Sequence, residues 1–235
     1  MSAAQNRFVV FDFDHTLYEG DSGSHLYAWL IRRSVWRCLL ALLVAPIAAP
    51  MIAFMPTRRT GISVFVWIGS LGVHSIKAFN RLVDDYVLTH TAMIDARILP
   101  IAFRVLKEHL EAGDEVVIAT GAPPELASAI FRFVEHTPVP VIGTVMKPFL
   151  GGMVAGQHCH FENKMVMLRA AGHTRDVDRA YSDSRADLPL LRAAKSPVVV
   201  NPNASSVDDF KRVLGADTPV LNWGCKDRAG DPVAA

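Results

Sequence analysis

FVVFDFDHTL, residues 8–17, is the stretch whose reading decides the fold. Phe8 to Phe11 form an unbroken apolar run that ends on Asp12. Asp14 follows two positions later and Thr16 two after that. Such a run reads as a strand buried on both faces, as in a parallel sheet. Open α/β sheets place ligands outside the carboxyl ends of their strands, where these carboxylates fall. Residues two apart in an extended segment point to the same side, so Asp12 and Asp14 can serve one site. The plainer alternative is two Asp residues making turn and cap hydrogen bonds.

Outward from this stretch, further strands are expected at Glu115–Ala119, ending in Thr120-Gly121, and at Val139–Val145. Val177–Tyr181 runs into SDSRAD, and Pro197–Val200 is one more strand. Helices are expected at Leu99–Leu110, after Pro123-Pro124, at Asn163–Ala171 and at Asp187–Ala194. The glycine-rich stretch from Gly143 to Gly156 reads as short hairpins. This alternation predicts an α/β fold, a Rossmann-like parallel sheet flanked by helices. The core is residues 1–20 plus 96–215, with 21–95 an insert, and 216–235 a loose flexible tail.

The chain has 235 residues, about half of them hydrophobic, enough for a sizeable core without disulfides. A formal net charge of +1 argues against a nucleic-acid surface. Cys38, Cys159 and Cys225 are odd in number and far apart, so neither a disulfide framework nor a zinc knuckle is indicated, and a reduced compartment fits. No signal peptide is visible in MSAAQNRFVV. His158, Cys159 and His160 alternate in a hairpin without a distant partner, a structural rather than a zinc pattern.

Three strand ends thus offer polar groups: Asp12 and Asp14, Thr120, then Asp183 and Asp187, with Lys164 between the second and third. Several carboxylates and one Lys in one crevice suit a hard cation, Mg²⁺ above others. Cation and Lys together would neutralise a phosphoryl group, and a carboxylate could attack phosphorus to give an aspartyl-phosphate.

This ordered set resembles the haloacid dehalogenase superfamily of phosphohydrolases. The DxDxT motif is Asp12, Asp14 and Thr16; Thr120 is the hydroxyl residue after a strand; Lys164 lies in CHFENKMVML; Asp183, Ser184 and Asp187 form the acidic motif. The resemblance implies Asp12 as nucleophile and Asp14 as general acid and base. It implies Mg²⁺ held by the Asp12 and Asp183 carboxylates and the Asp14 carbonyl, with Asp187 supporting that shell. Thr120 and the Gly121 amide would bind phosphoryl oxygens, and Lys164 would bridge nucleophile and phosphoryl group. Halide needs no proton on leaving, so an acid at Asp14 favours phosphate-ester hydrolysis over dehalogenation. Ser182 stands where Gly is usual and Ala186 where phosphoserine phosphatase has Asn, which weakens small-polar-substrate recognition.

The slot after the first motif is where this superfamily places its cap, so the resemblance implies an all-α cap inserted after the first strand, residues 21–95, and here it is greasy. Residues 38–55 and 62–73 are uncharged, separated by a turn bearing Arg58 and Arg59, and Pro46 and Pro50 interrupt the first run. The catalytic motifs flank the insert, so a single membrane crossing is excluded, and the second run is too short for a return span. A hairpin dipping into one leaflet, or helices in the interface, is expected, with Arg32, Arg33, Arg37, Arg58, Arg59 and Lys77 toward anionic headgroups. Buried cap helices of a soluble protein or dimer are the alternative. The cap and YSDSRADLPLL resemble the phosphatidylglycerophosphatase C family of the bacterial inner membrane. That likeness implies dephosphorylation of phosphatidylglycerol phosphate, with the anionic phospholipid and the membrane surface as partners, at the cytoplasmic face. A soluble, cytoplasmic small-metabolite phosphatase like phosphoserine phosphatase is the rival, and a non-catalytic membrane-interaction protein on the same fold is a third reading.

Overall fold

Strand β1 (Phe8–Phe11) sends Val9 and Phe11 to one side and Phe8 and Val10 to the other, and all four are buried. A computed structural model describes residues 6–54, 56–134, 138–226 and 228. β1 is flanked by β2 (Glu115–Thr120) and β6 (Arg179–Ser182), both parallel to it, with Phe11 opposite Ile118 and Tyr181. β3 (Val141–Gly143), β7 (Ser196–Val200) and β8 (Val220–Leu221) complete a six-stranded parallel sheet of order β3-β2-β1-β6-β7-β8. Helices α6 (Pro100–Glu111) and α7 (Pro124–Val134) cover one face through Leu106 and Ile130. Helices α8 (Glu162–Ala170), α9 (Leu188–Ala193) and α10 (Val207–Leu214) cover the other through Leu168, Leu190 and Phe210. The chain leaves β1 for β2 on one side and returns to β6 on the other, so the carboxyl end of β1 is a topological switch point.

Between β1 and β2 the chain inserts α1 (Ser22–Arg32), α2 (Val35–Ala53), α3 (Arg58–Gly69), α4 (Ile76–Thr89) and α5 (Thr91–Asp95) ahead of α6. The expected hairpin is one antiparallel pair, β4 (Met146–Phe149) and β5 (Gly152–Ala155). It anchors the insert. The Trp67 indole N–H reaches the carbonyls of Phe149 at 3.1 Å and Leu150 at 3.2 Å, and the Met153 amide donates to Ser70 Oγ at 2.7 Å.

The second apolar run packs on protein: Val66, Ile68 and Gly69 are buried, and α3 lies against α1, α2 and this hairpin. Gly61 makes the α2–α3 approach possible, since a Cβ there would lie 2.9 Å from the Ala48 carbonyl oxygen. Pro46 and Pro50 do not interrupt α2. They lie four apart on its exposed side, where neither ring has to fit against α3. Residues 216–226 are not a loose tail, because β8 joins the sheet and Trp223 and Cys225 are buried. Residues 227 and 229–235 of that stretch lie outside the described residues.

Candidate active site

β1, β2 and β6 are neighbours in one parallel sheet, so Asp12, Thr120 and Asp183 stand at one edge. Lys164 arrives from the first turn of α8, fully buried, with its ammonium 2.9 Å from Asp12 Oδ1 and 2.6 Å from Asp187 Oδ2. Burial by itself would lower the Lys164 pKa, but these two carboxylates outweigh it and hold the ammonium charged. Burial lifts the Asp12 carboxyl to about 6 against the pull of Lys164. Asp14 accepts the Ser22 amide at 2.8 Å, yet burial and the neighbouring Asp21 raise its carboxyl to about 8. Asp183 is likewise raised to about 8 by burial and by Asp12, with Arg228 opposing. The structure thus brings Asp12, Lys164 and Asp187 into direct contact, and couples Asp14 and Asp183 to them through space.

The phosphate-loop candidates are held from below. Thr120 is buried, and its hydroxyl oxygen accepts the Ala122 amide at 3.0 Å. The Gly121 carbonyl accepts the Thr144 hydroxyl at 2.7 Å. The His160 imidazole packs on Gly121 so closely that a Cβ there would lie 2.3 Å from Cε1. Burial, with Lys164 nearby, lowers the His160 pKa to about 4, which keeps the ring neutral. Thr144 and His160 were not legible as site residues in the sequence. Ser182, which stands where Gly is usual, donates its hydroxyl to Asp187 Oδ2 at 2.7 Å. The amide of Phe161, which opens α8, donates to the Ala186 carbonyl at 3.1 Å and ties the Lys164 helix to the acidic motif.

Among the described residues, no three or more His, Cys, Asp or Glu side chains converge into a ready metal cage. Mg²⁺ does not need one, since it takes one or two carboxylates and completes its shell with water and phosphate oxygens. The donors here are hard oxygens, and the buried Asp187 Oδ1 lacks a hydrogen-bond partner. A divalent cation would also offset the burial that raises Asp12 and Asp183 and the neighbouring carboxylates that add to it, Asp187 at Asp12 and Asp12 at Asp183. The residues present fit the ion.

Residues 9–192 match the sequence pattern of the haloacid dehalogenase-like hydrolases. Phosphoserine phosphatase SerB1 of Mycobacterium tuberculosis is 26% identical over 208 residues, 83% of this chain and 65% of its own length. The chain therefore spans just under two thirds of that relative. Histidinol-phosphatase of Neisseria meningitidis is 26% identical over 235 residues, covering 92% of this chain and 98% of its own. A solved structure from Bordetella pertussis Tohama I, a protein of unknown function, superposes with a TM-score of 0.74 at 22% identity, covering 94% of this chain and 100% of that one. That likeness speaks to the fold alone. Neither named relative is a phospholipid phosphatase by name, in contrast to the family the cap resembles. The chain belongs to the haloacid dehalogenase-like hydrolase family.

Proposed function

We propose that the protein hydrolyses phosphomonoesters through an aspartyl-phosphate on Asp12. The Lys164 ammonium wedged between Asp12 and Asp187 at the switch point carries this reading. Asp12 attacks phosphorus while the ester P–O bond breaks. Asp14, raised to about 8, gives its proton to the departing oxygen. Asp14 then takes a proton from water as that water attacks phosphorus, freeing inorganic phosphate and restoring Asp12. Thr120 and the Gly121 amide cradle the phosphoryl oxygens. Lys164 keeps Asp12 ionised and offsets the phosphoryl charge. The Asp12 and Asp183 carboxylates and the Asp14 carbonyl would hold Mg²⁺, with Asp187 behind them, and the ion supplies charge neutralisation at the phosphoryl group.

For the substrate, the named relatives support a small phosphorylated metabolite of the phosphoserine or histidinol phosphate kind. One observation favours a second reading, the phosphorylated lipid phosphatidylglycerol phosphate. Helix α2 is long and apolar enough to cross a membrane, and only 11% of its apolar window is buried. Under that reading the enzyme works at the cytoplasmic face of a bacterial inner membrane; under the first it works in the cytoplasm. Phosphate release from phosphoserine, histidinol phosphate and phosphatidylglycerol phosphate, with and without Mg²⁺, decides between them. Asp12→Asn should abolish release from whichever substrate is turned over, and unchanged release would refute the nucleophile.

A further inference from the structure

After β8 the chain turns back over the candidate site as a strap. The Trp223 amide donates to Asn201 Oδ1 at 2.6 Å, and Asn201 Nδ2 donates to the carbonyl of His15, inside the first motif, at 2.7 Å. The Trp223 ring lies 5.3 Å from that of Tyr181 in β6. The Lys226 amide donates to Glu19 Oε1 at 3.1 Å. These anchors deliver Arg228 to Asp183, Nη1 to Oδ2 at 3.4 Å, with the two side chains only 11% and 9% exposed. Nη1 makes no regular hydrogen bond there. The contact is a loose approach and not a built bidentate clamp.

We propose that Arg228 is a tethered counter-cation that holds the Asp183 carboxylate until a divalent cation displaces it. This rests on the reading of Asp183 as a metal ligand. Lys164 is engaged by Asp12 and Asp187, so among the described residues the cation placed against Asp183 is Arg228. Asp183 therefore takes its cation from the C-terminal strap. A Mg²⁺ ion binds carboxylate oxygen at about 2.0–2.1 Å, and a guanidinium held at Oδ2 of the same carboxylate repels that ion, so the two cations compete for Asp183. Metal binding is then a substitution of one cation for another. The strap sets the metal affinity and loosens when the metal enters.

Calorimetric titration of the whole protein with Mg²⁺ tests this, comparing the wild type, Arg228→Gln, and Arg212→Gln as a baseline for losing one exposed positive charge. The expected result is Mg²⁺ binding about tenfold tighter in R228Q and near wild type in R212Q. Hydrogen exchange at Trp223–Lys226 should quicken in the wild type on adding Mg²⁺. Equal affinity in R228Q and R212Q, weaker affinity in R228Q, or a strap protected further by Mg²⁺ would overturn the displacement. Absence of Mg²⁺ binding in every variant would instead bring down the metal-dependent phosphatase itself. Circular dichroism confirms that R228Q is folded.

Discussion

Ser182 donates its hydroxyl to Oδ2 of Asp187 at 2.7 Å, the same oxygen that receives Lys164 at 2.6 Å. A chain of contacts thus runs from Ser182 through Asp187 and Lys164 to Asp12. Ser182 also accepts the Ser184 amide at 3.1 Å, which sets the turn carrying Asp183. Ser182→Ala leaves that amide and one carboxylate lone pair unmet in a buried place. Stability should fall by about 1.5–3 kcal/mol. Because Ser182 acts through Lys164 and not on substrate, kcat should drop several-fold with KM nearly unchanged. A change confined to KM would place Ser182 against the substrate instead.

Gly121 and His160 form a second coupled pair. An alanine Cβ at Gly121 would meet His160 Cε1 at 2.3 Å, so the ring or the phosphate loop must move. Gly121→Ala should cost about 1–3 kcal/mol of stability and most of the phosphate release. His160→Gly alone should be mild, and G121A/H160G should regain most of the lost stability, a coupling that a double-mutant cycle in urea reads directly. Strict additivity of the two single changes would mean that the ring does not rest on Gly121.

What the sequence made legible were the strand ends, because each buried run stops abruptly at a polar residue. Asp12, Thr120 and Asp183 could be placed without knowing the sheet order, since any parallel order gathers them on one edge. The supports could not be read that way. Thr144, His160 and Asn201 matter because the chain returns from 20 to nearly 190 positions away, and no local pattern marks such a return. The strap was missed for a similar reason: β8 has two residues and no run long enough to read as a strand. Apolar composition could not decide the surroundings of α3. A segment rich in Val, Ile and Trp looks the same whether it faces lipid or a protein hairpin, and only Gly61 and Gly152, which admit close neighbours, separate the two.

The raised carboxyls give a pH test with a definite sign. Asp14 and Asp183 move from an ordinary 3.8 to about 8, each mainly through burial. A group whose folded pKa is raised favours the folded state below its unfolded pKa, and that contribution disappears as pH rises through the folded value. Between pH 6.5 and 8.5 each group should therefore cost the metal-free protein about 2 kcal/mol, about 4 kcal/mol for the two, or about 10 °C in Tm. His15 and His160, both lowered to about 4 mainly by burial, act in the opposite sense, mostly below pH 6.5, and offset only about 0.4 kcal/mol each within this window. Thermal melts with and without Mg²⁺ check this: the ion should remove the alkaline decline. A metal-free Tm that climbs from pH 6.5 to 8.5 would show that these carboxyls are not proton-loaded in the fold.

Helix α2 separates the two substrate readings. Val35, Leu39, Leu43 and Ile47 recur every four residues and are 61–78% exposed, so they form one exposed apolar stripe. Not all the expected basic residues stand ready beside it: Arg37 donates to the carbonyls of Leu30 and Leu71, and Arg59 lies over the Phe161 ring. Exposed Arg32 and Arg33 precede the stripe at its amino end. Burying each leucine in lipid is worth about 1.5–3 kcal/mol. Leu39→Glu with Leu43→Glu should then cut binding to phosphatidylglycerol-containing vesicles by at least about 100-fold. Neither residue is near the carboxylates, so hydrolysis of a soluble phosphomonoester should be unchanged. If the wild type fails to sediment with such vesicles, the stripe is not a lipid face, and the small-metabolite reading stands alone.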